Sequence, residues 1–527
     1  MKVLVSDKLP EEGLKVLRET PGIEVDVKTG LSASELMEII GEYDALIVRS
    51  STKVTAEILE RAKRLKVIGR AGAGVDNIDV EAATKKGIVV MNTPGGNAMA
   101  AAEHTIGLMF AAARNIPQAH MSLKEGKWER GRFEGVELHG KTLGVIGLGN
   151  IGRIVADKAK GLGMKVIAYD PYIPREVAQK KGIELVELEE LLRRSDVITL
   201  HVPKTKETEG MIGPEAFSKM KDGVIIVNCA RGGIVDEGAL AEACRSGKVK
   251  AAGVDVFSVE PPPPDHPLLG LENVVCTPHL GASTLEAQLN VAIAIAEQVV
   301  DFLKNGTIRN AVNAPSVDAE TLATIGPFLN LAKKMGIFLA KILPYPLRKL
   351  TIEYRGEVTK FNVAPLTASA LSGLMSCYLE EGVNEVNATF VAKERGIEYY
   401  ESKISEEADF TSLITLKGEG DGRESVVSGT LFGKKEPRLV RINEYPVEVA
   451  PEGIVLLIHT EDRPGVIGNI GTTLGLKGIN IGNMQFGRDM RGGKSLCILH
   501  LDTLPSADVL EDLKKLPHVL SVQLLEL

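Results

Sequence analysis

The chain is predicted to be an α/β protein with two doubly wound parallel sheets followed by two smaller mixed units. Three observations predict this. Short runs rich in Val, Ile and Leu alternate with helical patterns from Lys2 to Thr277. A glycine-patterned turn, Gly147-Leu148-Gly149-Asn150-Ile151-Gly152, falls between a strand and a helix. From Glu452 to Leu527 the order is strand, helix, strand, strand, helix, strand, the βαββαβ ferredoxin-like unit.

The first sheet rests on Lys2 to Ser6, Val25 to Val27, Ala45 to Val48, Val67 to Arg70 and Ile88 to Met91, spaced by helical segments such as Glu11 to Thr20 and Ala56 to Lys63. A long apolar helix, Ala98 to Arg114, leads to the glycine turn. Strands then follow at Val166 to Asp170, Val197 to Val202, Gly223 to Asn228, Ala251 to Asp255 and Val274 to Thr277. The Thr284 to Asn305 helix comes after this second sheet has ended and is expected to cross back over the first. The N-terminal domain is therefore read as discontinuous, residues 1–97 with 282–310, around an inserted domain of residues 98–281. Asn310 to Asp318 reads as a linker because of Pro315 and its small polar neighbours. Residues 311–450 form a mixed α/β unit, with a helix at Leu322 to Leu343 and strands at Lys349 to Tyr354 and Leu413 to Lys417. Residues 451–527 are the last domain.

At 527 residues the chain is too long for one ordinary core, and usual domain sizes give about three or four. A hydrophobic content of 44% with 25% charged residues is that of a globular protein able to bury sizeable cores. The net charge of −8 provides no basic footprint for nucleic acid and leaves small molecules and further copies of the chain as partners. The five cysteines, Cys229, Cys244, Cys276, Cys377 and Cys497, form no CxxC pair, so no zinc site or other metal is expected, and a reducing cytoplasm fits them. Met1 to Asp7 reads as a strand rather than a signal segment, and no apolar run is long enough for a membrane span.

Each glycine of the turn has its own mechanical task. Gly147 makes the tight turn, Gly149 lets backbone approach a pyrophosphate, and Gly152 lets helix and strand come close. The pyrophosphate would lie on the helix N-terminus. Asp170, ending the next strand, is placed to accept from a ribose 2′-hydroxyl and to repel a 2′-phosphate, so NAD is the expected cofactor.

Hydride exchange with a hydroxy acid needs a cation for the carboxylate, an acid/base for the hydroxyl proton, and a group that tunes the base. Arg231, Glu260 and His279 follow successive strands of the second sheet, where ligands collect. The guanidinium fork suits a carboxylate. A carboxylate on one histidine nitrogen fixes the tautomer of the other. Singly, each also reads as a surface arginine, a solvated glutamate or a capping histidine; three at successive strand ends favour catalysis. Pro261 to Pro264 reads either as a polyproline ligand or as a rigid turn carrying Glu260 into the cleft.

These residues lie in segments that resemble the D-isomer-specific 2-hydroxyacid dehydrogenases. The matching pieces are VIGLGNIGR, HVPKTKETEGMI (201–212), MKDGVIIVNCARGGIVDEGAL (220–240), VDVFSVEP (254–261) and TPHLGAST (277–284). The resemblance implies a Rossmann-type NAD domain inserted in a flavodoxin-like substrate domain. It implies catalysis by Arg231, Glu260 and His279. Beside the glycines, it implies NAD contacts at Asn150, Ile151, Asp170, Cys229, Ala230, Asp255, Gly281 and Ala282.

Upstream, VRSSTKVT (48–55), GRAGAGVDNID (69–79), NTPGGNAMAAAEHTIGLM (92–109) and GKWERGRFEGVEL (126–138) resemble the members that oxidise 3-phospho-D-glycerate at the start of a route to serine. A phosphorylated substrate has two anionic ends and needs more than one cation. Arg49, Arg70 and Arg130 are the candidates, with Arg132 close behind; Ser50 and Asn97 complete the expected substrate set. Each arginine alone also reads as a structural ion pair. Trp128 is either a core or interface anchor or a wall of a neighbouring subunit's site.

HTEDRPGVIGNIGTTLGLKGINIGNMQFGR (459–488) resembles the ACT regulatory domain. The resemblance implies an amino-acid effector, L-serine, with Asp462 on the α-amino group, the amides of Gly465 to Ile467 on the carboxylate, and Asn480 facing from an adjoining subunit. Alternatively Asp462 caps a helix and Asn480 closes a turn. The extra domain implies the long form, in which Lys434, Lys435, Arg438 and Arg441 either sense anions or form a solvated face. A homo-oligomer, read as a tetramer, is expected. The rival readings are a hydroxypyruvate or glyoxylate reductase and an NAD-sensing binding protein.

Overall fold

Parallel strands buried on both faces read as continuous apolar runs, and the first five obey this rule except at the edge strand Glu24–Val27. Lys2–Val5, Glu24–Val27, Ala45–Val48, Val67–Arg70 and Val89–Met91 pair in parallel in the spatial order 2-1-3-4-5, a flavodoxin-like sheet. The structure, a computed structural model, describes residues 1–317, 319–379, 383–406 and 409–527. The Leu285–Asn305 helix starts where the Thr284 hydroxyl accepts from the Ala287 N–H and ends at left-handed Gly306. Its Val291, Ile295 and Val299 share one core with Val3, Val5 and Val67, so this helix covers the first sheet.

Between these two parts the chain builds seven further parallel strands. They are Thr142–Ile146, Lys165–Tyr169, Glu184–Leu185, Val197–Leu200, Val224–Asn228, Val249–Val254 and Val274–Cys276, in the order 3-2-1-4-5-6-7. The order reverses between the first and fourth of them, and the glycine turn leaves the first strand there, at the crevice where such sheets bind ligands. The Ala98–Arg114 helix lies on this sheet, with Leu108, Met109 and Ala112 against Leu143 and Val145. Left-handed Asn115 ends it, and a further helix, Ile116–Lys124, restarts with a proline in its first turn. This second helix was not among the elements expected from the residue pattern.

The stretch read as a linker is held for part of its length. Ala311 bridges to Met91, and the Asn313 side chain bonds the Val90 N–H at 2.8 Å and the Ile88 carbonyl at 2.8 Å, so it runs along the edge of the first sheet. Asp318, the end of that stretch, lies outside the described residues. Next, the Ala319–Ile342 and Ala364–Ser376 helices pack on a six-stranded sheet of Lys349–Gly356, Glu398–Ile404, Ser412–Gly420, Arg423–Phe432, Glu436–Ile442 and Tyr445–Val449. Only the first two of these strands pair in parallel. The second helix is buried on all sides from Pro365 to Met375, which removes the polar face that would have given it a helical period.

The last four strands, Ile454–Glu461, Ile481–Arg488, Lys494–Leu501 and Val519–Glu526, are antiparallel in the order 2-3-1-4. Helices Val466–Leu476 and Ala507–Lys514 cover one face. From the other face Val455, Leu457, Leu496 and Ile498 enter the core of the preceding unit. Among the described residues no helix is long and apolar enough to cross a membrane.

Candidate active site

The glycine turn is shaped by close contacts. Gly147 has φ 93°, and a Cβ there would lie 2.7 Å from the His201 carbonyl oxygen; a Cβ on Gly152 would lie 1.9 Å from the Gly147 carbonyl oxygen. Gly149 faces open space, and the Asn150–Gly161 helix has no side-chain cap, so its first N–H groups remain available to an anion. Arg153 bonds the Asn150 side-chain oxygen at 3.0 Å, and Ile151 is half-buried behind it. Asp170 is fixed beside the turn by the Leu148 N–H at 2.8 Å and the Tyr172 N–H at 2.9 Å. Beneath the turn burial pushes His201 down to about 3, so it is neutral. Cys229 and Ala230 are buried just past the Val224–Asn228 strand, and burial pushes the Cys229 thiol up to about 12. An open glycine, an uncapped helix and an anchored carboxylate fit a dinucleotide.

Asp255 is the hub of the next part. Its buried carboxylate accepts from the Leu280 N–H (2.7 Å), the Gly281 N–H (2.8 Å) and the Thr277 hydroxyl (2.6 Å), and it meets His104 Nε2 at 3.1 Å. Burial acts to raise its pKa, yet the His104 and Thr277 hydrogen bonds and the two backbone N–H groups hold it below the usual carboxylate range. These bonds define the 277–281 turn, in which His279 adopts a left-handed backbone at φ 54° and half-buried Ala282 follows. His279 Nδ1 meets Glu260 Oε2 at 2.7 Å, and the Phe257 N–H donates to Glu260 Oε1 at 3.0 Å. The Glu260 hydrogen bond raises the His279 pKa, against burial and the Arg231 charge. Burial presses the Glu260 pKa upward, but the His279 and Phe257 bonds leave it lowered overall.

Arg231 spans the cleft between the two sheets. Its Nε donates to Asp76 Oδ2 at 2.9 Å and its guanidinium donates to the Ala230 carbonyl at 2.7 Å. A Cβ on Gly74 would lie 1.9 Å from Arg231 Nη2, so the fork rests on the 71–76 loop of the first domain. Arg70 shares this field. Burial, then the Arg231 charge, lower its pKa, and Arg49 adds to the repulsion. Among the described residues the buried Arg70 Nε has no hydrogen-bond partner, as a donor awaiting an anion would have none. Arg49 donates its backbone N–H to Asp7 at 2.6 Å and a guanidinium N–H to the Lys8 carbonyl at 3.0 Å, with Ser50 exposed beside it. Asn97 stands half-buried at the start of the Ala98–Arg114 helix.

Other candidates lie elsewhere. Arg130 is exposed in the Arg130–Phe133 turn, where it lines a shallow pocket with Leu123, Trp128 and Phe133; Trp128 is 76% exposed. Arg132 Nη2 donates to both carboxylate oxygens of Glu272, at 2.6 and 2.8 Å. Asp462 accepts from the Gly492 N–H at 2.9 Å and faces Arg488 at 3.5 Å; it does not cap the helix, whose N-cap is Gly465 at φ 91°. Ile467 is exposed, and the Asn480 side chain donates to Asp502 at 2.6 Å. Lys434 and Lys435 occupy a hairpin turn and Arg438 pairs with Glu436 at 2.8 Å. Arg441 instead lines a cleft of about 680 Å³ with Arg355 and Lys417, so the four cations do not converge on one patch.

Sequence reasoning missed Asp76, His104, Thr277 and Glu237. Glu237 accepts from the Ser258 N–H at 2.6 Å and hydroxyl at 2.8 Å and pairs with His266 at 2.9 Å, steadying the turn that carries Glu260. The partners of Asp76 and His104 lie 155 and 151 positions away, whereas Thr277 and Glu237 meet theirs 22 and 21 positions away and stand within the 277–284 and 220–240 segments, the signal that could have found them.

Residues 106–281 match the family described as D-isomer specific 2-hydroxyacid dehydrogenase, NAD binding domain. Residues 324–443 match D-3-phosphoglycerate dehydrogenase intervening domain, and residues 454–518 match ACT domain. The chain is 50% identical to the D-3-phosphoglycerate dehydrogenase of Archaeoglobus fulgidus and 47% identical to that of Methanocaldococcus jannaschii, each over 100% of both chains. Among solved structures, NAD+-bound 3-phosphoglycerate dehydrogenase of Entamoeba histolytica is 36% identical, with 60% of this chain and 99% of that one covered at a TM-score of 0.51. A glyoxylate reductase from Paecilomyes thermophila is 32% identical, with 59% and 98% covered at a TM-score of 0.55.

Proposed function

The chain belongs to the D-3-phosphoglycerate dehydrogenases, and on that premise we propose how its own residues carry out the NAD-dependent oxidation of 3-phospho-D-glycerate to 3-phosphohydroxypyruvate, the first step of the phosphorylated route to serine. The carrying observation is the 2.7 Å contact between His279 Nδ1 and Glu260 Oε2, made in the same cleft as Arg231. A carboxylate only accepts, so Nδ1 bears the proton and Nε2 keeps a free lone pair. His279 Nε2 takes the substrate hydroxyl proton, and Glu260 stabilises the imidazolium that results. Arg231 clamps the substrate carboxylate and orients C2 beside the cofactor site. NAD, when bound, would supply the hydride acceptor. Asp170 would hold its adenosine ribose and the N-terminal amides of the Asn150–Gly161 helix its pyrophosphate, while Asp255 fixes the 277–281 turn that carries His279.

Arg49 and Arg70 hold the phosphate, with Ser50 and Asn97 beside them; the orphaned Arg70 Nε and the mutual repulsion of Arg49, Arg70 and Arg231 support this reading. The same cluster favours a phosphorylated substrate over glyoxylate or hydroxypyruvate. Reduction rates on phosphorylated and unphosphorylated hydroxypyruvate test it: equal kcat/KM for the two overturns the phosphate assignment.

We read Arg130, exposed beside Trp128, as serving the substrate of a neighbouring copy, and the enzyme as a homotetramer whose interface covers exposed Ile116, Met121, Leu123 and Trp128. Sedimentation of Trp128→Arg, expected to release smaller species, tests that interface. L-serine is the proposed effector, bound between paired ACT domains at Asp462, the Gly465 to Ile467 amides and Asn480. Calorimetry with serine on the full chain and on Asp462→Ala tests it, because truncation would open the core shared with the preceding unit. The cytoplasm is the compartment this reading assigns, in keeping with five unpaired cysteines.

A further inference from the structure

A cavity of about 660 Å³ lies between the first domain and the intervening unit, at the opposite ends of the strands from Arg70 and Arg231. Its size falls in the range of small-molecule sites. One wall is Leu65, Val89, Phe302 and Ile308 of the first domain; the other is Leu322 and Leu329 of the Ala319–Ile342 helix with Pro365 and Ala368 of the next. The hollow is therefore apolar on both sides.

The two walls are held in fixed register. The Asn384 side chain donates to the Gly87 carbonyl at 2.8 Å, the Asn387 side chain donates to the Lys85 carbonyl at 3.2 Å, and Val386 enters the core of the first sheet. Gly87 has φ 69°, and a Cβ there would lie 2.4 Å from Asn384 Nδ2, so a larger residue would push the Asn384 side chain out of this seam.

The rim is cationic. Among the described residues Lys66, Lys86 and Lys333 line it against a single carboxylate, Glu385, which is paired to Lys333 at 2.9 Å. Among the described residues neither Lys66 nor Lys86 has a carboxylate within ion-pair distance, although Asp44 lies near enough to Lys66 to feel its charge. Ser369 adds a hydroxyl-bearing side chain to the wall.

We propose that this cavity is a binding site for a small amphipathic anion, a carboxylate or sulfonate whose head lies between Lys66 and Lys86 and whose apolar body fills the space between the two domains. The site is placed to act on the substrate end. The Val67–Arg70 strand starts next to Lys66 of the cavity wall and ends at Arg70, which is about 13 Å from Lys66 at the rise of a parallel strand. The Val89–Met91 strand likewise begins there and ends before Asn92, whose side chain donates to the Ala73 carbonyl at 2.5 Å. An occupant that presses on both strand starts acts on Arg70 and on the 71–76 loop under Arg231.

Fluorescence titration of the full chain with anilinonaphthalene sulfonate, and displacement by octanoate, tests the proposal. Saturable binding is expected at one site per chain, with octanoate competing and octanol failing to compete. The paired reversal Lys66→Glu with Lys86→Glu is expected to weaken the probe about tenfold or more, since it removes two charge-assisted contacts. Ala368→Trp, which fills the hollow, is expected to abolish binding. Occupancy is expected to change KM for 3-phosphoglycerate about fivefold while KM for NAD holds. Unsaturable binding, equal displacement by octanol, or a probe affinity unmoved by the charge reversal overturns the site, and the reversal decides it even if Ala368→Trp does not fold. Saturable binding without the KM change overturns the coupling.

Discussion

Replacing Glu260 separates charge from tautomer in the His279 pair, because the structure dictates how a glutamine would sit. The Phe257 N–H points at Oε1 from 3.0 Å and needs an acceptor, so the oxygen of Glu260→Gln stays there and its NH2 turns to His279 Nδ1. An amide donor on Nδ1 forces the proton onto Nε2, the nitrogen that must accept from substrate. Glu260→Ala loses the charge but leaves the ring free to choose its tautomer. A charge-assisted hydrogen bond contributes about 1.5–3 kcal/mol, and exposure of 38% for Glu260 and 47% for His279 reduces this to about 1–2 kcal/mol. The expected loss of kcat for Glu260→Ala is therefore about 5- to 30-fold. The blocked lone pair adds about 1–2 kcal/mol, so Glu260→Gln is expected to lose about 30- to 1000-fold.

The pH profile supplies a second reading of the same pair. Oxidation needs neutral His279, so kcat/KM rises through the His279 pKa, which the Glu260 hydrogen bond holds above the ordinary value. Removing that bond leaves burial and Arg231 pressing downward, and the acidic limb of Glu260→Ala shifts to lower pH. The pair's contribution to stability runs in the matching sense, fully present below the ordinary histidine pKa and lost as pH rises through the raised one. Steady-state oxidation of 3-phosphoglycerate across pH, with Ala and Gln side by side, measures both effects. A glutamine variant as active as the alanine variant, or an acidic limb that stays in place, refutes the assigned proton path.

His279→Ala is expected to bind NAD as the parent does, by fluorescence titration, while kcat falls about 10²- to 10⁴-fold. In Asp170→Ala, loss of the carboxylate beside the glycine turn should shift the NAD-to-NADP ratio of kcat/KM about tenfold or more toward NADP. Arg49→Ala should raise KM for 3-phosphoglycerate about tenfold and leave unphosphorylated hydroxypyruvate turnover unchanged. Glu237→Ala, which frees Ser258 and unpairs His266, should lower kcat about tenfold through a loosened Glu260 turn, with the NAD dissociation constant unchanged.

Local signals that act through backbone geometry were legible from residue order. The Gly147-Gly149-Gly152 spacing, the acid at Asp170 and the apolar runs of the first two sheets each reflect a constraint that a short segment imposes on itself. That Arg231, Glu260 and His279 come together could be read because parallel strands deliver their C-terminal ends to one edge, so three loops far apart in sequence become neighbours. Where a side chain's partner lies across the fold, sequence was silent. Arg130 and Arg132 look alike as residues, yet one is exposed beside Trp128 and the other is locked to Glu272, 140 positions away. Similar separations hid Asp76 beside Arg231, 155 positions away, and His104 beside Asp255, 151 positions away. The intervening unit was read only in part because its Ala364–Ser376 helix is buried all round and carries no period. Periodicity records a boundary with water, and contacts between distant segments leave no such record; the tertiary structure alone decides them.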